Sequence, residues 1–193
     1  MSGKGTIAIL AAGSASRMRG GDKCLELVGG VPLLRVLVDR AAAIGWDVAV
    51  TLRPGSERRQ HLDTSTTRVV EVSDADAGMA ASFRALSGIE GPLMVCLGDM
   101  PEIETADMET LIAAYDGTAP VRATAQDGTP GQPVIFPPGL VAAMARLEGD
   151  KGAQGLLKAH PPRLVPLPGQ RAITDLDTPE AWSEWRARTG IRN

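Results

Sequence analysis

Aromatic side chains are nearly absent: two Phe, one Tyr and three Trp make up 3% of 193 residues. That is too few for the stacking platforms that hold single-stranded nucleic acid. Cysteine is as scarce. Cys24 and Cys96 stand far apart, and two distant thiols make neither a disulfide framework nor a zinc-site pattern. His61 and His160 are the only histidines, so a His/Cys metal cluster is not expected. A basic excess is missing too: the net charge is −3, without the footprint of a nucleic-acid binder. No apolar run approaches the ~20 residues of a membrane span. Met1–Gly5, with one lysine before a strand-like run, is too short for a signal peptide. The expectation is a cytoplasmic chain with no nucleic-acid or membrane partner.

What is present suits one buried core. A hydrophobic content of 44% over 193 residues is enough for one domain, residues 1–193, and short for two. Ile7–Ala12, Asp47–Leu52, Arg68–Val72 and Pro92–Leu97 are apolar runs that read as strands, with Pro92–Leu97 the most continuous and the expected sheet centre. Between them, a helix starting at Val31-Pro32 places Leu33, Leu34, Leu37, Val38 and Ala41 on one face and stops at Gly45. A short charged helix is expected at Glu57–Leu62, and further helices at Ala80–Leu86 and Ala106–Tyr115. Strands with no polar alternation, separated by helices, predict an α/β fold: a three-layer domain with a mostly parallel sheet. Beyond Pro120 the pattern changes. Val121–Ala125 and Pro133–Phe136 read as short strands whose prolines suggest an edge or an excursion, suited to form one wall of a pocket for a second substrate. Helices follow at Gly139–Leu147 and Ala153–Ala159, then a late strand at Arg163–Leu167. In the terminal helix Trp182 and Trp185 are expected to pack on the core.

Three places offer chemistry. The first is the loop after Ile7–Ala12, small residues carrying Arg17 and Lys23. Such a loop at a strand end leaves backbone N–H groups free to cradle phosphate. It has neither Gly-Lys-Ser/Thr nor G-x-G-x-x-G, and a solvated turn with two surface cations is the competing reading. The second is Asp99, just past the expected central strand, where open α/β sheets place their ligands; Thr105 is the nearer candidate cap for the next helix. The third is the acidic pair Asp175 and Asp177. Asp74 and Asp76 are expected to cap the helix that follows them rather than bind metal, and Asp150 and Lys151 either pair in a turn or meet substrate.

These motifs occur in one order: Leu10-Ala-Ala-Gly-Ser-Ala-Ser-Arg-Met18 with Lys23, Gly78-Met-Ala-Ala-Ser82, Gly98-Asp-Met-Pro101, Gly131-Gln-Pro-Val-Ile-Phe136, Gly149-Asp-Lys-Gly-Ala-Gln154 and Asp175-Leu-Asp-Thr-Pro179. The set resembles the molybdenum cofactor cytidylyltransferases, with the cofactor guanylyltransferases as close relatives, from Ile7 to about Trp185. The resemblance implies a Rossmann-like nucleotidyltransferase fold and transfer of CMP from CTP, or of GMP from GTP, to the phosphate of a molybdopterin-type cofactor. It implies Arg17 on the β- and γ-phosphates, Lys23 near the α-phosphate, and Asp99 as a Mg2+ ligand completed by Asp175 or Asp177. Leu10, Ala11, Ala12, Gly13 and Ser14 would surround the nucleotide together with Gly78, Ser82 and Gly98. Guanylyl-transferring relatives carry Gly where this chain has Ala12, and a methyl there leaves less room for a purine. Gln132 stands where cytidylyl enzymes carry His, and Gln154 replaces an Arg; both departures fall in acceptor-side segments. A sugar-phosphate acceptor is the alternative within the same fold. A non-catalytic carrier or maturation factor serving a molybdenum hydroxylase is the alternative outside enzymes, and the metal carboxylates argue against it.

Overall fold

The computed structural model describes residues 4–149 and 152–192. The expected Asp150–Lys151 pair lies outside the described residues. Thr6–Leu10 forms β1, whose Ile7, Ala8 and Ile9 are fully buried. Leu27–Val28 (β2) and Val31–Pro32 (β3) make a two-stranded hairpin about the Gly29-Gly30 turn. Leu33–Ala42 is α1 and Asp47–Leu52 is β4. Pro32 is therefore the last strand residue and the N-cap of α1, not its first helical residue, because the hairpin takes the two residues ahead of the helix. Thr67–Glu71 is β5, Met79–Leu86 is α2 and Leu93–Leu97 is β6. The remaining elements are α3 (Thr105–Ala114), β7 (Val121–Thr124), β8 (Pro130–Phe136), α4 (Pro138–Ala143), α5 (Gln154–Ala159), β9 (Arg163–Pro166) and α6 (Pro179–Thr189).

Seven strands form one sheet in the order β5-β4-β1-β6-β8-β7-β9, with β6 fourth of the seven, as expected. β1, β4, β5 and β6 are parallel, and β8 alone runs against its neighbours. Alternate residues of each strand face opposite layers. Ile7, Ile9, Val48, Val50, Met94 and Cys96 join α1, α3 and α6 in one core. Ala8, Ala49, Leu93 and Val95 meet α2, α4 and α5 in the other. Trp182 and Trp185 are buried in the first core, edge to face at 5.6 Å between centroids, so the tryptophans of α6 pack as expected.

β8 departs from the reading of Val121–Phe136 as an edge or excursion, for it lies between β6 and β7. Its prolines are tolerated there because β6 pairs only with Val134, Ile135 and Phe136, and Pro130 meets β7 beyond a register shift; neither position owes β6 a backbone N–H. Capping also differs from expectation. α3 is capped by Glu104, with Asp107 closing the capping box, while Thr105 donates its hydroxyl to the Arg40 carbonyl. Asp74 and Asp76 cap nothing: Asp74 pairs with Arg84, and Asp76 with Arg53 at 2.8 Å. Arg84 lies within α2 itself and Arg53 just past β4, and an ion pair to arginine wins over a backbone N–H.

Candidate active site

The C-terminal ends of β1 and β6 lie side by side, with Leu10 opposite Leu97. The chain leaves both strands at this edge, and a cleft of about 470 Å3 opens above it. Gly98 makes the close approach possible. Its N–H donates to the Leu10 carbonyl at 3.0 Å, and a Cβ there would lie 2.9 Å from that oxygen. Gly78, at the start of α2, has φ +90°, a conformation that costs glycine little and other residues much.

The loop after β1 forms the cleft floor. The N–H of Ala11 is taken by Thr51, whereas those of Ala12, Gly13 and Ser14 have no partner among the described residues. Leu10, Ala11, Ala12, Gly13 and Ser14 all line the cleft, as do Gly78, Ser82 and Gly98. The Ala12 methyl is buried against Val72 and Ala81.

Four charged residues meet at one end. Lys23 Nζ donates to Asp99 Oδ2 at 2.5 Å and to Asp177 Oδ1 at 2.6 Å. Arg17 Nη1 donates to Asp177 Oδ2 at 2.6 Å and is otherwise largely in solvent. The Leu176 N–H donates to the Asp99 carbonyl at 3.0 Å, and buried Leu176 fixes the acidic segment beside β6. Burial works against the Lys23 ammonium, but Asp99 and Asp177 outweigh it and hold its pKa above the usual lysine value. Burial likewise acts to raise Asp177, and Lys23 with Arg17 reverses it, so this carboxyl ionises below its usual range. Asp175 is raised by burial and by the neighbouring charges of Asp99 and Asp177; it does not line the cleft. Asp99 Oδ1 is buried and has no hydrogen-bond partner, a state that costs free energy until something binds it. Among the described residues no three His, Cys, Asp or Glu stand close enough to cage a metal.

Arg58 was hidden within a run that reads as a surface helix, Glu57-Arg-Arg-Gln-His61. It is only 6% exposed. Its Nη1 donates to the carbonyls of Ala11 (2.6 Å) and Gly13 (3.1 Å), and its Nε to Asp22 Oδ2 (2.7 Å). Asp22 Oδ1 accepts the Cys24 N–H at 2.9 Å. One guanidinium thus ties the start of the loop to its end, with Lys23 between Asp22 and the Cys24 that Asp22 holds. Arg53 adds a similar tie, from Nε to the Ala12 carbonyl at 2.9 Å and on to Asp76. Arg58 is buried and Arg53 half-buried, and each reaches a loop carbonyl and a carboxylate distant in sequence, contacts that only the fold reveals.

Residues 7–164 match the family model described as the MobA-like NTP transferase domain. The chain belongs to that family. It is accordingly a nucleotidyltransferase, and the sheet edge described above is where the fold presents its open strand ends. Over 95% of its length it is 32% identical to the bifunctional protein GlmU of Geobacter sulfurreducens, covering 35% of that protein. It is 33% identical over 115 residues to a molybdenum cofactor guanylyltransferase of Burkholderia vietnamiensis, across 56% of this chain and 55% of that one. The chain spans about a third of the first of these relatives and about half of the second. Among solved structures, Rv0371c of Mycobacterium tuberculosis superposes with a TM-score of 0.82 at 27% identity, covering 96% of this chain and 98% of that one. A complex of Rv0371c with manganese superposes at 0.77, with 28% identity over 93% of this chain and 96% of that one. Among the described residues no helix is long and apolar enough to cross a membrane.

Proposed function

We propose that this nucleotidyltransferase moves CMP from CTP to the terminal phosphate of a molybdopterin-type molybdenum cofactor, releasing pyrophosphate with Mg2+ bound. The observation that carries the reading is the Asp99–Lys23–Asp177 arrangement at the end of β6, with Asp99 Oδ1 buried and unpartnered. An all-oxygen carboxylate site with one unsatisfied oxygen fits a hard divalent cation that takes its remaining ligands from substrate phosphate. Asp99 with Asp177 or Asp175 would hold it. Bound there, such a cation would supply charge neutralisation for the α-phosphate and the leaving pyrophosphate.

The chain's own groups do the rest by position and charge. Lys23 presents an ammonium that stays protonated throughout the neutral range. Arg17, largely solvated, exchanges Asp177 for the outer phosphates when the triphosphate enters. The free N–H groups of Ala12, Gly13 and Ser14 donate to phosphate or ribose oxygens. The acceptor phosphate is already an anion, so its oxygen attacks the α-phosphorus without a protein base, and catalysis reduces to alignment and neutralisation.

The acceptor reading is supported by the ordered motifs and by the likeness to a molybdenum cofactor guanylyltransferase. The nucleotide reading is supported by Ala12, whose methyl fills the cleft floor beside Val72 and Ala81 and leaves less room beneath a purine. That same relative favours GTP as the second reading. Pyrophosphate release from CTP and from GTP at matched concentration, with Mg2+ and isolated molybdopterin-type cofactor, decides between them. CTP turnover in excess supports the proposal, a clear GTP preference replaces it with the second reading, and release with sugar phosphates alone refutes the acceptor.

A further inference from the structure

Most of the carboxylate oxygen that Asp99 and Asp177 present at the end of β6 is already taken by cations of the chain itself. Lys23 Nζ bridges the pair, 2.5 Å from Asp99 Oδ2 and 2.6 Å from Asp177 Oδ1. Arg17 Nη1 holds Asp177 Oδ2 at 2.6 Å. What remains is Asp99 Oδ1, enclosed and without a partner on a residue only 8% exposed. The charges of Arg17 and Lys23 cancel those of Asp99 and Asp177, so a divalent cation arriving alone gains no net attraction from the group. It also meets a single open oxygen, whereas a hard cation of this class takes several.

The bridging ammonium is able to leave although its backbone is not. Arg58 clasps Asp22, and Asp22 accepts the Cys24 N–H at 2.9 Å, so the residues on both sides of Lys23 are held. The lysine side chain is a flexible stem ending in a compact charge, and that end makes its contacts with the carboxylates. Arg17, with its side chain 72% exposed, is freer still. A triphosphate entering the cleft brings several negative charges and competes with Asp99 and Asp177 for both cations. Each cation that moves to phosphate uncovers carboxylate oxygen. Lys23 releases Asp99 Oδ2 and Asp177 Oδ1, and Arg17 releases Asp177 Oδ2.

We infer that Lys23 is the resident cation of the carboxylate site, its ammonium holding the oxygens of Asp99 and Asp177 that a divalent metal gains only after a triphosphate has drawn Lys23 away. The inference rests on the proposed function for the presence of a divalent cation at Asp99, and it adds what controls that cation's entry. Metal and triphosphate then bind as a coupled pair, each strengthening the other by the same factor. Between turnovers the two carboxylates stay neutralised and in place.

The test is Mn2+ binding to the full chain without nucleotide, read from loss of the free-ion electron paramagnetic resonance signal. Mn2+ accepts the same oxygen ligands as Mg2+. Lys23→Met binds Mn2+ at least about tenfold more tightly than the parent chain, while Lys23→Arg, which keeps a cation, stays close to the parent. Arg53→Met is the control for the general field of the cleft. Arg53 lines the same cleft, but its charge is met by Asp76 and it touches neither Asp99 nor Asp177, so its loss leaves Mn2+ affinity unchanged. Thermal unfolding gives a second readout: Mn2+ raises the Tm of Lys23→Met more than that of the parent. Lys23→Gln, uncharged yet able to donate to one carboxylate, carries the same expectation where Lys23→Met does not fold. Mn2+ affinity equal in the parent and the uncharged variants overturns the inference, and so does equal tightening in Arg53→Met or an absence of Mn2+ binding by every form. Pyrophosphate release by the parent chain with CTP, Mg2+ and acceptor is scored separately. Release with no tightening in Lys23→Met keeps the proposed function and discards the resident cation; tightening without release does the reverse.

Discussion

The cleft above β1 and β6 and the groove between β7 and α5 are built on opposite principles. Around the nucleotide cleft the cations are already paired: Lys23 with Asp99 and Asp177, Arg58 with Asp22, Arg53 with Asp76. Around the β7–α5 groove, Arg122 and Lys158 have no carboxylate partner among the described residues and the walls are proline and leucine. The cleft is held in shape before substrate arrives, and electrostatic stabilisation that needs no reorganisation is the efficient kind. The groove leaves its two cations without a carboxylate among the described residues.

The largest expected effect comes from breaking the rigid half at its centre. Lys23→Ala removes the one cation between Asp99 and Asp177 and lowers kcat/KM about 10²- to 10³-fold, measured as pyrophosphate release. The corresponding change in the groove, Lys158→Glu, alters kcat little. Arg58→Met tests the rigidity itself. It strands two loop carbonyls and the Asp22 carboxylate, so stability falls by about 2–4 kcal/mol, read by denaturant unfolding, with kcat reduced and acceptor affinity unchanged. A variant as stable and active as the parent would show that the loop needs no clasp. Ala12→Gly opens the cleft floor and shifts the GTP-to-CTP ratio of kcat/KM toward GTP by about tenfold, the scale of one methyl in a tight pocket. The smallest effect is none at all. Burial pushes the thiols of Cys24 and Cys96 up to about 12, so at pH 8 they remain protonated. The thiolate is the reactive species, and iodoacetamide therefore labels neither residue until the chain unfolds. Labelling of Cys24 in the native protein would mean that the cleft wall opens.

The strands and their buried faces were legible because apolar runs such as Asp47–Leu52 and Leu93–Leu97 admit few other readings, and Asp99 was legible from its place after the central strand. Lys23 and Arg17 gained meaning only from the order of the motifs. Other features depend on contacts that no local pattern encodes. Arg58 sits in a stretch whose charge predicts exposure, yet the turn of the chain after β4 carries it beneath the phosphate loop. Asp74 and Asp76 stand where caps belong, and the arginines that claim them come from α2 and from the end of β4. Pro130 and Pro133 argue for an edge, but a strand can lie inside a sheet if its prolines fall outside the paired segment. The unpaired cations of the groove come from β7 and α5, thirty-odd residues apart by numbering, and only the sheet brings them to one surface.

Under the proposed function, Lys23 and its carboxylates act on CTP in the presence of a molybdopterin-type acceptor. Its most direct test is pyrophosphate release from CTP, Mg2+ and isolated molybdopterin-type cofactor by the parent chain beside Lys23→Ala. Acceptor-dependent release that falls about 10²-fold or more in Lys23→Ala is the predicted result; no release by the parent chain, or equal release by both, would contradict it.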